Sequence, residues 1–192
     1  MTRADICGER LRWAALEAVC RGWPVVPGGF RTDSEGFAEV CPLLENGDTT
    51  PVTAPDDAWN IWGRQPYGVL LVCGRGIDAL EVPFRVMELL SALAHAGLTV
   101  PVATALAPSR WVLLVATGSG TLRDDLAAAS VCLRGIGQWV ACPPTAAGGH
   151  APLRWRVPPL DDCTSSALGG ADEVQRVLTE ALRSGTSHAD RG

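Results

Sequence analysis

The stretch Gly68–Pro83, GVLLVCGRGIDALEVP, decides how this chain is read. Val69 to Cys73 is an unbroken apolar run of strand length, and Ile77 to Val82 reads as a second strand, which carries two carboxylates, Asp78 and Glu81. Gly74 and Gly76 bracket Arg75 between them, and glycines at a tight reversal supply a left-handed backbone that other residues resist. The pattern predicts two strands, 67–73 and 77–82, paired through that turn. Carboxylates near the end of such a strand pair are a common way to build an acid-lined site on a sheet.

The 192 residues suit one domain, long enough to bury most of the apolar surface that the unfolded chain exposes. No apolar run approaches the roughly 20 residues of a bilayer-spanning helix. The opening MTRADICGERLRW is charged throughout and lacks an apolar signal core, so a cytoplasmic protein is expected. Seven cysteines, at 7, 20, 41, 73, 132, 142 and 163, form no CxxC or other metal spacing. They read as small buried hydrophobes in a reducing compartment, and His95, His150 and His188 stand apart from them in sequence. All 16 basic residues are arginine, and the net charge of −5 argues against a phosphate-binding footprint over the whole surface. A local arginine patch remains open.

Before the central stretch, residues 5–21 place Ile6, Leu11, Ala14, Ala15, Ala18 and Val19 along one helical stripe. A short strand over 23–26 follows, with Pro27-Gly28-Gly29 expected to turn the chain. Residues 30–55 read as a long loop with a short strand near 39–42. A helix over 57–63 then brings Trp59 and Trp62 to one face, where they are expected to pack together.

After the central stretch, Pro83 suits the first turn of a helix that runs to Gly97, with His95 complementing its C-terminal dipole. Residues 100–106 and 110–117 read as a hairpin. Gly118-Ser119-Gly120 precedes a helix over 122–129 but lacks the Lys-Ser/Thr of a P-loop, so it is a weak phosphate signal. Strands over 138–142 and 153–157 flank a Pro143-Pro144-Thr145 turn, with Trp139 and Trp155 expected to meet across them. A last helix covers 172–183, followed by a frayed end.

In this order the segments resemble the N-terminal primase–polymerase domain of bifunctional DNA primase/polymerase proteins, a group related to the archaeo-eukaryotic primases. The likeness is to short stand-alone actinobacterial members. It rests on RGWPVVPGG, on VTAPDDAWNIWGRQPYGVLLVCGRGIDALEVP, on VATALAPSRWVLLVA, and on LRGIGQWVACPPTAAGGHAPLRW, and covers roughly residues 10–160. The resemblance implies an α+β fold: a primase–polymerase-like palm whose mixed or antiparallel sheet, with an RRM-like core, is flanked by helices. Residues 1–160 would form the domain, and 161–192 a linker and a C-terminal helix packing on it.

In active members of that family two carboxylates, spaced Asp-x-Asp, hold divalent metal. Here the pattern falls on Glu81-Val82-Pro83, and proline has no ligand atom. Asp78 lies three residues before Glu81, and on a strand such residues point to opposite faces. The family's histidine in the following hairpin maps to Trp111, with Ser109 and Arg110 beside it. Asp78 and Glu81 are thus the candidate catalytic residues, with Glu81 the candidate metal ligand. Ser109, Arg110, Arg134 and Thr145 are the candidate nucleotide or phosphate ligands.

Three functions follow. The first is a catalytically degenerate member that binds nucleotide or single-stranded DNA in a replication-related setting, with no metal cofactor. The second is an active primase/polymerase using Mg2+ or Mn2+. The third is a non-enzymatic adaptor for a protein partner. The chain carries no helicase segment, so a replication role implies partners supplied in trans. The acidic balance favours the first and third over the second.

Overall fold

In a computed structural model the described residues are 3–32, 38–43, 50–83, 90–98, 100–106, 109–146, 151–161 and 164–189. They form an α+β fold with two antiparallel sheets flanked by helices. Helix α1 is Arg3–Cys20, followed by β1 (Val25–Thr32), β2 (Ala38–Pro42) and α2 (Pro55–Arg64). Strands β3 (Gly68–Val72) and β4 (Ile77–Pro83) come next, then α3 (Leu90–His95), β5 (Val102–Thr104) and β6 (Arg110–Ala116). Helix α4 (Asp124–Ala128), strands β7 (Cys132–Arg134), β8 (Trp139–Ala141) and β9 (Trp155–Val157), and helix α5 (Ala171–Ala189) complete the order.

The two central strands do not pair with each other, against the expectation from their spacing. β3 lies inside a four-stranded sheet ordered β2-β1-β3-β8, and β4 inside a five-stranded sheet ordered β7-β4-β6-β5-β9. Each therefore has both edges taken. Each is also buried on both faces over its first four residues, which explains the continuous apolar run of β3; in β4 that burial takes in Asp78 as well. The turn between them carries the chain from one sheet to the other. Gly74 and Gly76 adopt φ of +86° and +87°, and the Gly74 N–H donates to Ile77 O at 2.9 Å and to Asp78 Oδ1 at 2.8 Å.

Three cores fill the layers. One face of each sheet shares the first with α1 and α2: Leu71, Ile77, Ala79 and Leu114 meet Leu11, Ala15, Ala18 and Trp62 there. The opposite face of the five-stranded sheet, through Leu80, Val82, Leu113 and Val115, packs against Leu93, Leu126 and the α5 residues Val174, Val177 and Leu178. The outer face of the four-stranded sheet buries Val26, Val40, Leu70, Ala141 and Leu153. Burying a leucine such as Leu80 contributes roughly 1.5–3 kcal/mol, so the alternation along β4 anchors it on both sides.

Several local expectations are corrected. Pro27-Gly28-Gly29 does not turn the chain but lies within β1, because a Cβ on Gly28 would come 3.0 Å from Val40 and 3.1 Å from Leu70. These glycines serve close packing. Pro83 is the last residue of β4; the expected helix start over 84–89 lies outside the described residues, and among the described ones the helix covers Leu90–His95. Trp59 packs edge-on to Trp13, with centroids 5.2 Å apart, while Trp62 is buried and donates to Tyr67 O. Trp139 and Trp155 are held in different sheets, since β8 pairs with β3 and β9 with β5. The expected helix over 122–129 shortens to α4, and the last helix extends to Ala189. The expected hairpin of β5 and β6 is present.

At Gly74 the close neighbour is backbone. A Cβ there would sit 2.5 Å from Ile136 Cα, and its positive φ strains any other residue. Gly74→Ala should destabilise the fold by about 1–3 kcal/mol, read as a lower urea midpoint. An unchanged midpoint would mean that the two turns are not packed as described.

Candidate functional site

Cross-strand register decides what Glu81 meets. On β4 it pairs with Val112 of β6 on one side and Cys132 of β7 on the other, while Pro83 pairs with Arg110 and Ala79 with Arg134. Paired residues share a face, so Glu81, Arg110, Cys132 and Arg134 gather on the first-core side of the five-stranded sheet. Ile77 and Ala79 precede Glu81 on that face and belong to the first core.

Glu81 is fully engaged there. Arg134 Nε donates to Oε1 at 3.0 Å and Nη2 to Oε2 at 3.2 Å, a two-point clasp. Arg110 Nε lies 3.8 Å from Oε2, and its Nη2 donates to the backbone oxygens of Glu81 at 2.8 Å and Ser130 at 2.9 Å. The carboxylate is 15% exposed. Its hydrogen bonds raise the Arg134 pKa above its already high value, so that guanidinium stays charged. Two guanidiniums against one carboxylate leave the cluster with one net positive charge. Nη1 of each arginine takes no part in these contacts.

A divalent metal does not fit this donor set. Magnesium and manganese take oxygen ligands, several of them charged. Both Glu81 oxygens already accept from Arg134, and Pro83, on the same face, offers no donor. Among the described residues, no group of three His, Cys, Asp or Glu side chains is placed to hold a metal ion.

Asp78 does not join Glu81. It is 1% exposed, lies an odd number of residues away, and accepts from the Gly74 N–H, which makes it a brace for the sheet-to-sheet turn. Thr145 is corrected as a phosphate ligand: fully buried, its hydroxyl accepts from Val69 N–H at 2.8 Å and donates to Val69 O at 3.2 Å. It ties the chain after β8 back onto β3. Ser109 is exposed at the turn into β6, with φ of +60°. Trp111 pairs with Val82 and packs on the second core, away from Glu81. Of the six candidates, the structure brings together Glu81, Arg110 and Arg134.

The Gly118-Ser119-Gly120 segment also changes meaning. Ser119 donates to Asp172 from both its backbone N–H, at 3.0 Å, and its hydroxyl, at 2.7 Å. A carboxylate therefore occupies the place where an anion would bind. His95 Nδ1 meets Ser91 O, one turn back in its own helix.

Cys132 was missed as part of the cluster. Its Sγ lies 3.5 Å from Arg110 Nη2, a proximity set by the β4–β7 register, which no local motif announces. Only Cys73 and Cys142 are deeply buried; Cys7, Cys20 and Cys132 are exposed, Cys41 is intermediate, and Cys163 lies outside the described residues. Burial, with Asp78 adding to it at Cys73, pushes both buried thiols from 9.0 up to about 12.

A raised thiol pKa means that the folded chain holds protons which the unfolded chain releases. Stability from these two groups is complete below about pH 9 and falls as pH rises toward 12. The chain has no lysine and one tyrosine, which leaves cysteine as the commonest side-chain type of that range. Urea midpoints should drop between pH 8.5 and 11, and a Cys73→Ala/Cys142→Ala variant should show a shallower drop. Equal slopes would contradict the assignment.

A family model described as the N-terminal domain of bifunctional DNA primase/polymerases matches residues 15–168. Neither a curated protein nor a solved structure matches the chain. Among the described residues, no helix is long and apolar enough to cross a membrane.

Proposed function

The chain belongs to the bifunctional DNA primase/polymerase N-terminal family, and from that premise we propose that it is a catalytically degenerate member that binds phosphate groups of a nucleotide or nucleic acid. The observation that carries this reading is the two-point clasp of Arg134 on Glu81, with Arg110 beside it and Pro83 opposite. Phosphoryl transfer by the family's metal chemistry calls for a carboxylate pair free to bind cations. Here the one carboxylate is neutralised and an extra guanidinium remains, so the local charge has the opposite sign. A partly buried arginine pair presents a planar, hydrogen-bonding cation to a phosphate. Its setting is replication-related nucleotide or DNA binding, with further factors supplied in trans.

Calorimetric titration with a deoxynucleoside triphosphate and with inorganic triphosphate at low salt tests this. Both should bind, more weakly as salt rises. Arg110→Ala should weaken binding about tenfold or more, with a melting curve checking that the variant is folded. Primer extension with Mg2+ or Mn2+ should stay at background. Extension that disappears in Glu81→Ala would replace this reading with the active polymerase. Absence of triphosphate binding would replace it with the protein-binding adaptor.

Glu81 also holds the arginines in place. Glu81→Gln should lower stability by about 1–2 kcal/mol, because a neutral amide leaves two half-buried guanidiniums poorly paired. It should tighten triphosphate binding by removing the competing carboxylate. Weaker binding in a folded variant would show that Glu81 orients the arginines more than it competes with the ligand.

A further inference from the structure

A concavity of about 410 Å³ opens between α1 and β9. Along α1, Arg10, Trp13 and Glu17 recur at helical spacing and line one side of it, while the next stripe, through Leu11, Ala15 and Ala18, is buried in the first core. Trp155 and Arg154 line the far side, and Pro143-Pro144 the floor.

Trp13 is 55% exposed, unusual for the largest apolar side chain, yet it is not loose. Its ring meets Trp59 edge-on at 68°, and Trp59 is clamped in turn by Arg12, whose guanidinium lies 3.4 Å from the ring centroid and whose Nε donates to Trp59 O at 2.8 Å. Trp155 is held by pairing with Ala103 and by packing against the first core. Arg154 is fixed through its backbone, which exchanges hydrogen bonds with Thr104. The concavity thus offers two indoles already ordered, with guanidiniums at its rim. Glu17, the one acid there, has the Arg21 guanidinium 3.8 Å away.

We propose that this concavity is a stacking subsite for bases of a single-stranded nucleic acid. Indole faces accept any base, and flanking arginines meet the phosphates on either side, the combination that single-strand binders use. A purely apolar partner would leave Arg10 and Arg154 without a role. The register reinforces the choice. Trp155 pairs with Ala103, Ala103 with Val112, and Val112 with Glu81, so the stacking site and the Arg110–Arg134 cluster share one face of the sheet. They are three strands apart, or about 14 Å. The proposal rests on the phosphate-binding reading for its ligand class, and adds to it a separate subsite for the bases.

Fluorescence anisotropy at low salt tests it, with labelled oligothymidylate, oligouridylate and an abasic oligomer of equal length. The native protein should bind at least one base-bearing strand, the tighter one identifying the ligand, and bind the abasic strand at least about fivefold more weakly. Trp13→Ala and Trp155→Ala should each weaken base-bearing strands by about fivefold or more, Trp13→Phe much less, and none should alter triphosphate affinity. Equal affinity of the native protein for abasic and base-bearing strands overturns the proposal, as does failure to bind any strand. Strand binding that depends on Trp13, without triphosphate binding, sinks the arginine-cluster reading and leaves this one standing.

Discussion

The connection Cys73–Gly76 has to carry the chain out of one sheet and into another while both flanking strands stay buried on both faces. Only a turn with two left-handed residues, and with room for Ile136 against its backbone, meets that demand. Asp78 follows from the same constraint, since a buried carboxylate needs a donor and the Gly74 N–H is in place. Once β4 is seated between two cores, its exposed end can present Glu81 and Pro83 on one side only. The position of the site is thus a consequence of how the sheets are joined.

Chemistry at that position is decided by charge. A carboxylate on the open end of a palm-like sheet attracts cations when its neighbours are acids, and ceases to when they are arginines. Glu81 has Arg134 on β7 bonded to both carboxylate oxygens, and Arg110 on β6 with its guanidinium 3.8 Å from one of them. A second carboxylate beside Glu81 would compete for the same guanidiniums, and Pro83, on that face, carries none.

Thr145, Asp78 and Ser119 teach a common lesson. Each lies in a motif that suggests ligand binding, and Thr145 and Asp78 spend their polar atoms on the fold because they are buried. A buried hydroxyl or carboxylate is satisfied inside the protein before it is offered to a ligand. The Ser119 loop is exposed, yet Asp172 at the start of α5 supplies its partner from over 50 residues away. The tryptophans divide the same way. Trp62 and Trp23 build the core, and Trp13 is propped outward by the ring beneath it.

Apolar runs, helical stripes and the order of motifs are local properties, so the strand content, α1, the α+β class and the family were legible in the chain. That Pro83 offers no ligand atom was legible too, since this holds whatever its surroundings. Pairing partners were not, since the apolar runs of β3 and β4 fit one hairpin as well as two separate sheets. Only the tertiary structure decided that β4 lies between β6 and β7, and hence that Arg110 and Arg134 meet Glu81. Contacts between residues 53 apart depend on register, and register is set by which faces can be buried together.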